Sequence, residues 1–342
     1  MTHFWQQAWF FTIELFKFMT LFYTVWAPGF FVAALLTLRY RHSTWELLLE
    51  RPTKTKGGIW RAIQAGVVGS ADRETSWQAA WELLRRGHSP LTAFAYLIAS
   101  RNMTIHFWAI FALSLGAEFA TGQVLGALVM IGIVTLGLSQ FHVEIATTPV
   151  TEKAEGTTPV LDLTTYPSWG ALFLSLGGWW AVLKFIGQEV RRFAPTLAIG
   201  IVFGGFIFAA GLEPWWITFA DTMGPKTLAS DVINALVSPA ISAAVFLSPV
   251  GNLPVIHALF KADGLSYAGI ISFCLASAIH PRDVRGYFRT FGQRQGLILV
   301  GLLYGAAVLG GLGSTWIYAM VGFRPELPPL KLISDLFSVL GF

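Results

Sequence analysis

Composition and hydropathy specify an all-α integral membrane protein in two related halves, and three observations carry that reading. Of the 342 residues, 54% are hydrophobic and only 12% charged, with a mean hydropathy of +0.60, whereas a soluble domain carries roughly a quarter charged residues. Long stretches lack Asp, Glu, Lys and Arg altogether, and about 20 such residues in a helix cross the roughly 30 Å of membrane hydrocarbon. Blocks of the first half also recur in order in the second. The 28 Phe and 14 Trp on so few charges exclude a disordered or fibrous chain.

The spans follow in order. Phe18 to Leu38 is the first uncharged stretch, extended backwards by Trp5 to Phe16 with Glu14 as its one charge. Pro28 and Gly29 predict a kink within it. Ile59 to Ser70 and Leu91 to Phe111 are weaker, being short or interrupted by an arginine. Phe119 to Leu138, Leu163 to Leu183, Pro195 to Leu212, Val232 to Phe260, Gly264 to Pro281 and Gln295 to Phe323 are uncharged throughout. Together they predict eight to ten membrane segments. The Trp179–Trp180 and Trp215–Trp216 pairs lie near span ends, where amphipathic rings anchor in the headgroup region.

The formal charge of +4 reads as topology rather than nucleic-acid binding, because the basic residues form short clusters between apolar spans. Arg39, Arg41, Arg51, Lys54, Lys56 and Arg61 assign the first connection to the cytoplasm and the N-terminus, with no basic residue before Lys17, to the outside. That apolar start outruns a signal-peptide core, so it predicts a retained first helix and a mature chain beginning near Met1. The loop from Gln140 to Pro167 sets Lys153 against Glu144, Glu152, Glu155 and Asp162, which fits the outside. Arg282, Arg285, Arg289 and Arg294 favour the cytoplasm, yet simple alternation of full crossings can place them outside. The conflict predicts broken or re-entrant segments. Cys274, the lone cysteine, forms neither an internal disulfide nor a multi-cysteine metal site. His142 and Glu144 are only two candidate ligands, so no metal or other cofactor is expected.

A shift of 177 positions lays Gly87, Ser89, Ala99 and Ser100 on Gly264, Ser266, Ala276 and Ser277. The same shift lays Trp9 to Leu36 on Ile186 to Glu213, leaving Leu163 to Leu183 as a connector. One extra crossing there would invert the second half relative to the first, as in many secondary transporters. The expected organisation is therefore a first repeat at 1–140, an outer loop and connector helix at 141–184, a second repeat at 185–323 and a tail at 324–342.

Inverted-repeat transporters bind solute near the midplane, where helices break and expose backbone dipoles. The second half breaks at Ser248, Pro249, Val250, Gly251, Asn252, Leu253 and Pro254, since two prolines and a glycine remove donors and disfavour helix. A second break follows Ser277, at Ala278, Ile279, His280 and Pro281. The first half offers Gly69, Ser70, Ala71 and Asp72, then Ser100, Arg101 and Asn102. Such backbone must be buried in protein or line a wet cavity.

The order LSPVGNLPVIHALFKADG, CLASAIHP and RDVRGYFRTFGQRQGLILVG over Leu247 to Gly301 resembles the bacterial predicted-permease family that includes the organoarsenical efflux permeases. The first half, with GSADRETSWQAAWELLRRGHSP and LIASRN, follows it more loosely. The family commonly carries cysteine in its turn, whereas this chain has Leu247 and Ser248, and in the first half Ser70 and Ala71. A soft trivalent arsenical favours thiolate, so the serine turn argues against that substrate.

The resemblance implies a multi-pass permease of the bacterial inner membrane that exports a small solute, a metalloid or small organic species, by alternating access. No GxxxxGK[ST] stretch is present, so an ion gradient or a partner protein would supply the energy. Substrate-path candidates are Ser248, Pro249, Gly251, Asn252 and Pro254 in the turn, with His257 beyond it. Cys274, one helical turn before Ser277, joins them, as do His280 as a proton carrier and Arg282 and Asp283 as a pair lining the path. Ser70, Asp72, Ser100 and Asn102 are their first-half counterparts. Each has a plainer reading, as a satisfied kink, a core histidine, a small hydrophobe or an interfacial charge. Two other classes compete: a membrane-embedded enzyme using His280, Asp283, His142 or Glu144, and a structural subunit of a membrane complex.

Overall fold

In the computed structural model, the described residues are 2–49, 56–69, 73–141, 166, 168–223, 228–245 and 247–323. Ser70, Asp72, His142, Glu144 and the tail at 324–342 lie outside them. The described residues are helical, without a strand. α1 (Thr2–Leu49), α2 (Lys56–Val67), α3 (Arg73–Arg85), α4 (Pro90–Asn102), α5 (Ile105–Leu115) and α6 (Ala117–Phe141) come first. α7 (Trp169–Phe173), α8 (Leu176–Ala210), α9 (Pro214–Met223), α10 (Leu228–Val245) and α11 (Asn252–Lys261) follow. α12 (Tyr267–Leu275) continues into a 3-10 turn, Ala276–Ile279, and α13 (Pro281–Met320) closes the series.

Four helices are long and apolar enough to cross a membrane among the described residues: α6, α8, α10 and α13. α4 and α12 with its turn are different. Each is a short apolar rod, about 20 Å long at a helical rise, and nearly every residue of each is buried. Their starts use the same chemistry: the Ser89 hydroxyl accepts the Thr92 N–H, and the Ser266 hydroxyl accepts the Gly269 N–H. Ser89 and Ser266 stand 177 positions apart, as do the last residues of the two rods, Asn102 and Ile279.

Several expected spans divide or merge. Leu163 to Leu183 is not one crossing, because the described chain breaks after Phe173 and the Ser175 hydroxyl caps a new helix by accepting the Gly178 N–H at 2.9 Å. From there α8 runs 35 residues through Pro195, merging the expected connector with the first span of the second half. Leu91 to Phe111 divides between α4 and α5, where Met103 and Thr104 leave helical geometry. Val232 to Phe260 divides between α10 and α11, at the Pro and Gly turn. Pro28 lies inside the continuous α1. Arg39 and Arg41 belong to α1 and Arg61 to α2, so those three charges are on helices rather than in a loop.

α13 explains the basic cluster. It bends at Gly292, whose φ of 78° suits a residue without Cβ. Before the bend Asp283, Tyr287, Thr290 and Phe291 face inward while Arg282, Arg285 and Arg289 are exposed, the pattern of an amphipathic helix. The arginines therefore mark a surface leg.

α1 and α8 run antiparallel: Phe4 and Trp5 lie against Phe206, and Phe31 stacks on Trp179. α6 and α13 do the same, with the Tyr318 hydroxyl donating to the Glu118 carbonyl near one end and Gly137 under Leu302 near the other. Between them Gly126 and Gly310 bring two backbones together: a Cβ on Gly126 would lie 3.0 Å from the Gly310 oxygen, and one on Gly310 2.7 Å from the Gly126 oxygen. In lipid, where apolar surface has no preference for another helix, such close packing holds helices together.

Gly311→Ala tests this packing, since its Cβ would lie 2.5 Å from the Ala268 oxygen and 2.9 Å from the Ser272 nitrogen. The expected loss is about 1–3 kcal/mol, read as a lower melting temperature in detergent. Gly301→Ala, which meets nothing within 4 Å, should stay within about 0.5 kcal/mol.

Candidate functional site

The buried rods end at one polar joint. Arg101, in the last turn of α4, and Asp283, in the first turn of α13, are 1% and 4% exposed. The guanidinium grips both carboxylate oxygens, Nη1 donating to Oδ2 at 2.7 Å and Nη2 to Oδ1 at 3.2 Å. Nη1 also donates to the Ser277 carbonyl at 2.9 Å, and Nε to the Ser76 hydroxyl of α3 at 3.1 Å. The helix termini assist: a cation sits at the carbonyl-rich end of α4 and a carboxylate at the N–H-rich start of α13. Bidentate geometry and added donors are what a buried ion pair needs to offset desolvation.

Beside the ions runs a chain of neutral groups. The Asn102 amide donates to the Ile98 carbonyl at 3.0 Å, and its oxygen accepts from Gln123 of α6 at 2.9 Å and from the Ser277 hydroxyl at 3.3 Å. α3, α4, α6, the 3-10 turn and α13 thus meet through side chains up to 182 positions apart in sequence.

Of the sequence candidates, Asn102, Ser277 and Asp283 come together here. Ser100 turns back onto its own helix, donating to the Leu97 carbonyl at 3.1 Å. His280 caps α13, its Nδ1 accepting the Arg282 N–H at 3.2 Å. Arg282 is on the exposed face of the leg, and Asp283 turns inward to Arg101. Cys274 is buried inside α12.

The Pro and Gly turn packs on α8 instead. The hydroxyls of Ser248 and Thr196 lie 2.7 Å apart, and the Gly251 N–H donates to the Ser248 oxygen at 3.1 Å. Pro249, Gly251 and Pro254 are buried there, and a Cβ on Gly251 would lie 2.7 Å from the Thr196 carbonyl oxygen. Asn252 is buried with no hydrogen-bond partner for its Oδ1 among the described residues. His257 meets the Phe208 ring edge-on, 6.1 Å between centroids. This turn carries no charge.

Sequence reasoning missed Gln123 and Ser76 and left Arg101 without its partner. Gln123 had a readable signal, as the one amide in the uncharged stretch Phe119 to Leu138.

The profile of a family described as a predicted permease matches residues 10–313. The chain is similar to a protein of Mycobacterium tuberculosis (strain ATCC 25618 / H37Rv) named "Putative permease Rv2963", with 25% identity over 256 residues, 71% of this chain and 62% of that relative. The chain thus spans less than two thirds of that relative's length. No solved structure matches the chain significantly.

Breaking the ion pair has a directional test. Asp283→Asn leaves a buried guanidinium without its counter-charge and should lower stability by about 3–5 kcal/mol. The double variant Arg101→Met with Asp283→Leu removes both charges and should recover a large part of that loss in detergent melting.

Proposed function

The chain belongs to the predicted-permease family, and from that premise we propose that it carries a small solute across a membrane through the joint between α4 and α12. The observation that carries this reading is the meeting of two buried half-length rods, end to end, at a charged and hydrogen-bonded joint inside the bundle. Broken helices whose ends face a central site are how secondary transporters place backbone dipoles at mid-depth.

The two halves are read as an inverted repeat. Elements 177 positions apart pair with each other in opposite directions, α1 with α8 and α6 with the second leg of α13. The two half-length rods meet by the ends that carry their last carbonyls. A twofold axis in the membrane plane would relate such pairs, and rocking of one half on the other would open the joint alternately to each side. Export, an ion gradient as energy source and residence in the bacterial inner membrane belong to the same proposal and rest on the family resemblance.

An enzyme has less support. Asp283 is gripped by a bidentate arginine and His280 serves as a helix cap, so neither is presented as an acid or base.

The test is an accumulation screen in cells expressing the chain, against methylated arsenicals, metalloid oxyanions and small organic anions, with Asn102→Leu and Ser277→Ala beside the parent. One solute should accumulate less in parent cells, and Asn102→Leu should weaken that effect about tenfold, the cost of one to two buried hydrogen bonds. A solute effect indifferent to both substitutions would move the path away from the joint.

A further inference from the structure

The hydrogen-bond chain beside the ion pair has a fixed polarity, and its last atom is unused. A backbone carbonyl can only accept, so the Ile98 oxygen forces the Asn102 amide nitrogen towards it. The Asn102 oxygen therefore faces Gln123 and Ser277, and both must donate to it. Gln123 must then turn its nitrogen to Asn102 and its oxygen away, which fixes an orientation that electron density alone seldom distinguishes. That oxygen, on a residue only 1% exposed, has no hydrogen-bond partner among the described residues. Thr104, two residues beyond Asn102 at the start of α5, also has a buried hydroxyl without a partner among them.

We propose that the Gln123 carbonyl oxygen is a solute-binding group that accepts a hydrogen bond from an uncharged, hydroxyl-bearing solute. The inference rests on the permease reading and narrows it to a substrate class. Charge is argued first. Among the described residues the two charges of the joint, Arg101 and Asp283, pair with each other, so they offer no unpaired charge to hold an ion out of water. An anion would meet an acceptor where it needs a donor. A bare cation needs about six oxygens, and the chain ends in one. An O–H group matches that end, since it donates to Gln123. A buried amide oxygen left unpaired is costly, so the binding site gains most from the group that completes it.

The test is binding, read without transport. The melting temperature of the full chain in detergent is measured against millimolar boric acid, an uncharged triol at neutral pH, and against sodium chloride and sodium acetate, for the parent, Gln123→Met and Gln123→Glu. Boric acid should stabilise the parent, with half-saturation about tenfold weaker in Gln123→Met, the loss of one hydrogen bond. Gln123→Glu in its protonated form keeps both a donor to Asn102 and an acceptor oxygen, so it should retain the shift at acidic pH, where boric acid stays uncharged, and guards against a misfolded Met variant. Stabilisation by sodium or acetate instead, an equal boric acid shift in parent and Gln123→Met, or none in the parent would each overturn the proposal; the last would leave the oxygen to a bound water. Boric acid accumulating equally in cells with and without the chain, beside an intact boric acid shift, would instead remove the permease reading while the site stands.

Discussion

The Arg101–Asp283 pair is the constraint around which the interior is arranged. A charge deep in an apolar bundle costs at least about 3 kcal/mol even on lenient insertion scales, and two nearly unexposed ions are tolerable only if their geometry is held from several sides. The guanidinium fixes the end of α4 against the start of α13, reaches α3 through Ser76 and takes the Ser277 carbonyl of the 3-10 turn. Moving any one of these elements by a few ångströms would leave an ion or a carbonyl unpaired. The helix dipoles agree with the arrangement, since reversing either helix would turn an assisting field into an opposing one.

Around that joint the packing is made by small residues. Gly126 against Gly310, and Gly251 against Thr196, bring backbones closer than side chains would allow. The antiparallel pairs α1 with α8 and α6 with α13 form the long walls, while α4 and α12 are too short to do so and stay buried between helices. Half-length rods of this kind are admissible only because protein, not lipid, surrounds their ends. The joint and the walls therefore depend on each other.

The helical class and the breaks at Ser100 to Asn102 and after Ser277 were legible in the sequence because each depends on local chemistry. Composition requires helices, and proline and glycine end them. The connector was misread because hydropathy registers an uncharged run from Leu163 to Leu183 but not the Ser175 cap that divides it. The pairing of Arg101 with Asp283 left no local trace, since its partners are 182 positions apart, and the neighbouring Arg282 offered a simpler partner. Gln123 was passed over for the opposite reason, since a single amide does not interrupt an uncharged stretch.

The two breaks of the second half show why a helix-breaking sequence does not by itself identify a site. The turn at Ser248 to Pro254 has the stronger breaking signature, yet the Ser248 hydroxyl is spent on Thr196 and on the Gly251 N–H, so that residue serves the turn itself. The break after Ser277 is less conspicuous in sequence, with one proline, but its carbonyl and hydroxyl are turned to the other half of the chain. What separates them is the destination of the polar groups: local satisfaction makes a kink, whereas groups that reach residues 175 and 176 positions away tie distant elements together. By that criterion the weaker signature marks the joint between distant elements, and the arginine three residues before Thr104 belongs to it more securely than any proline among the described residues.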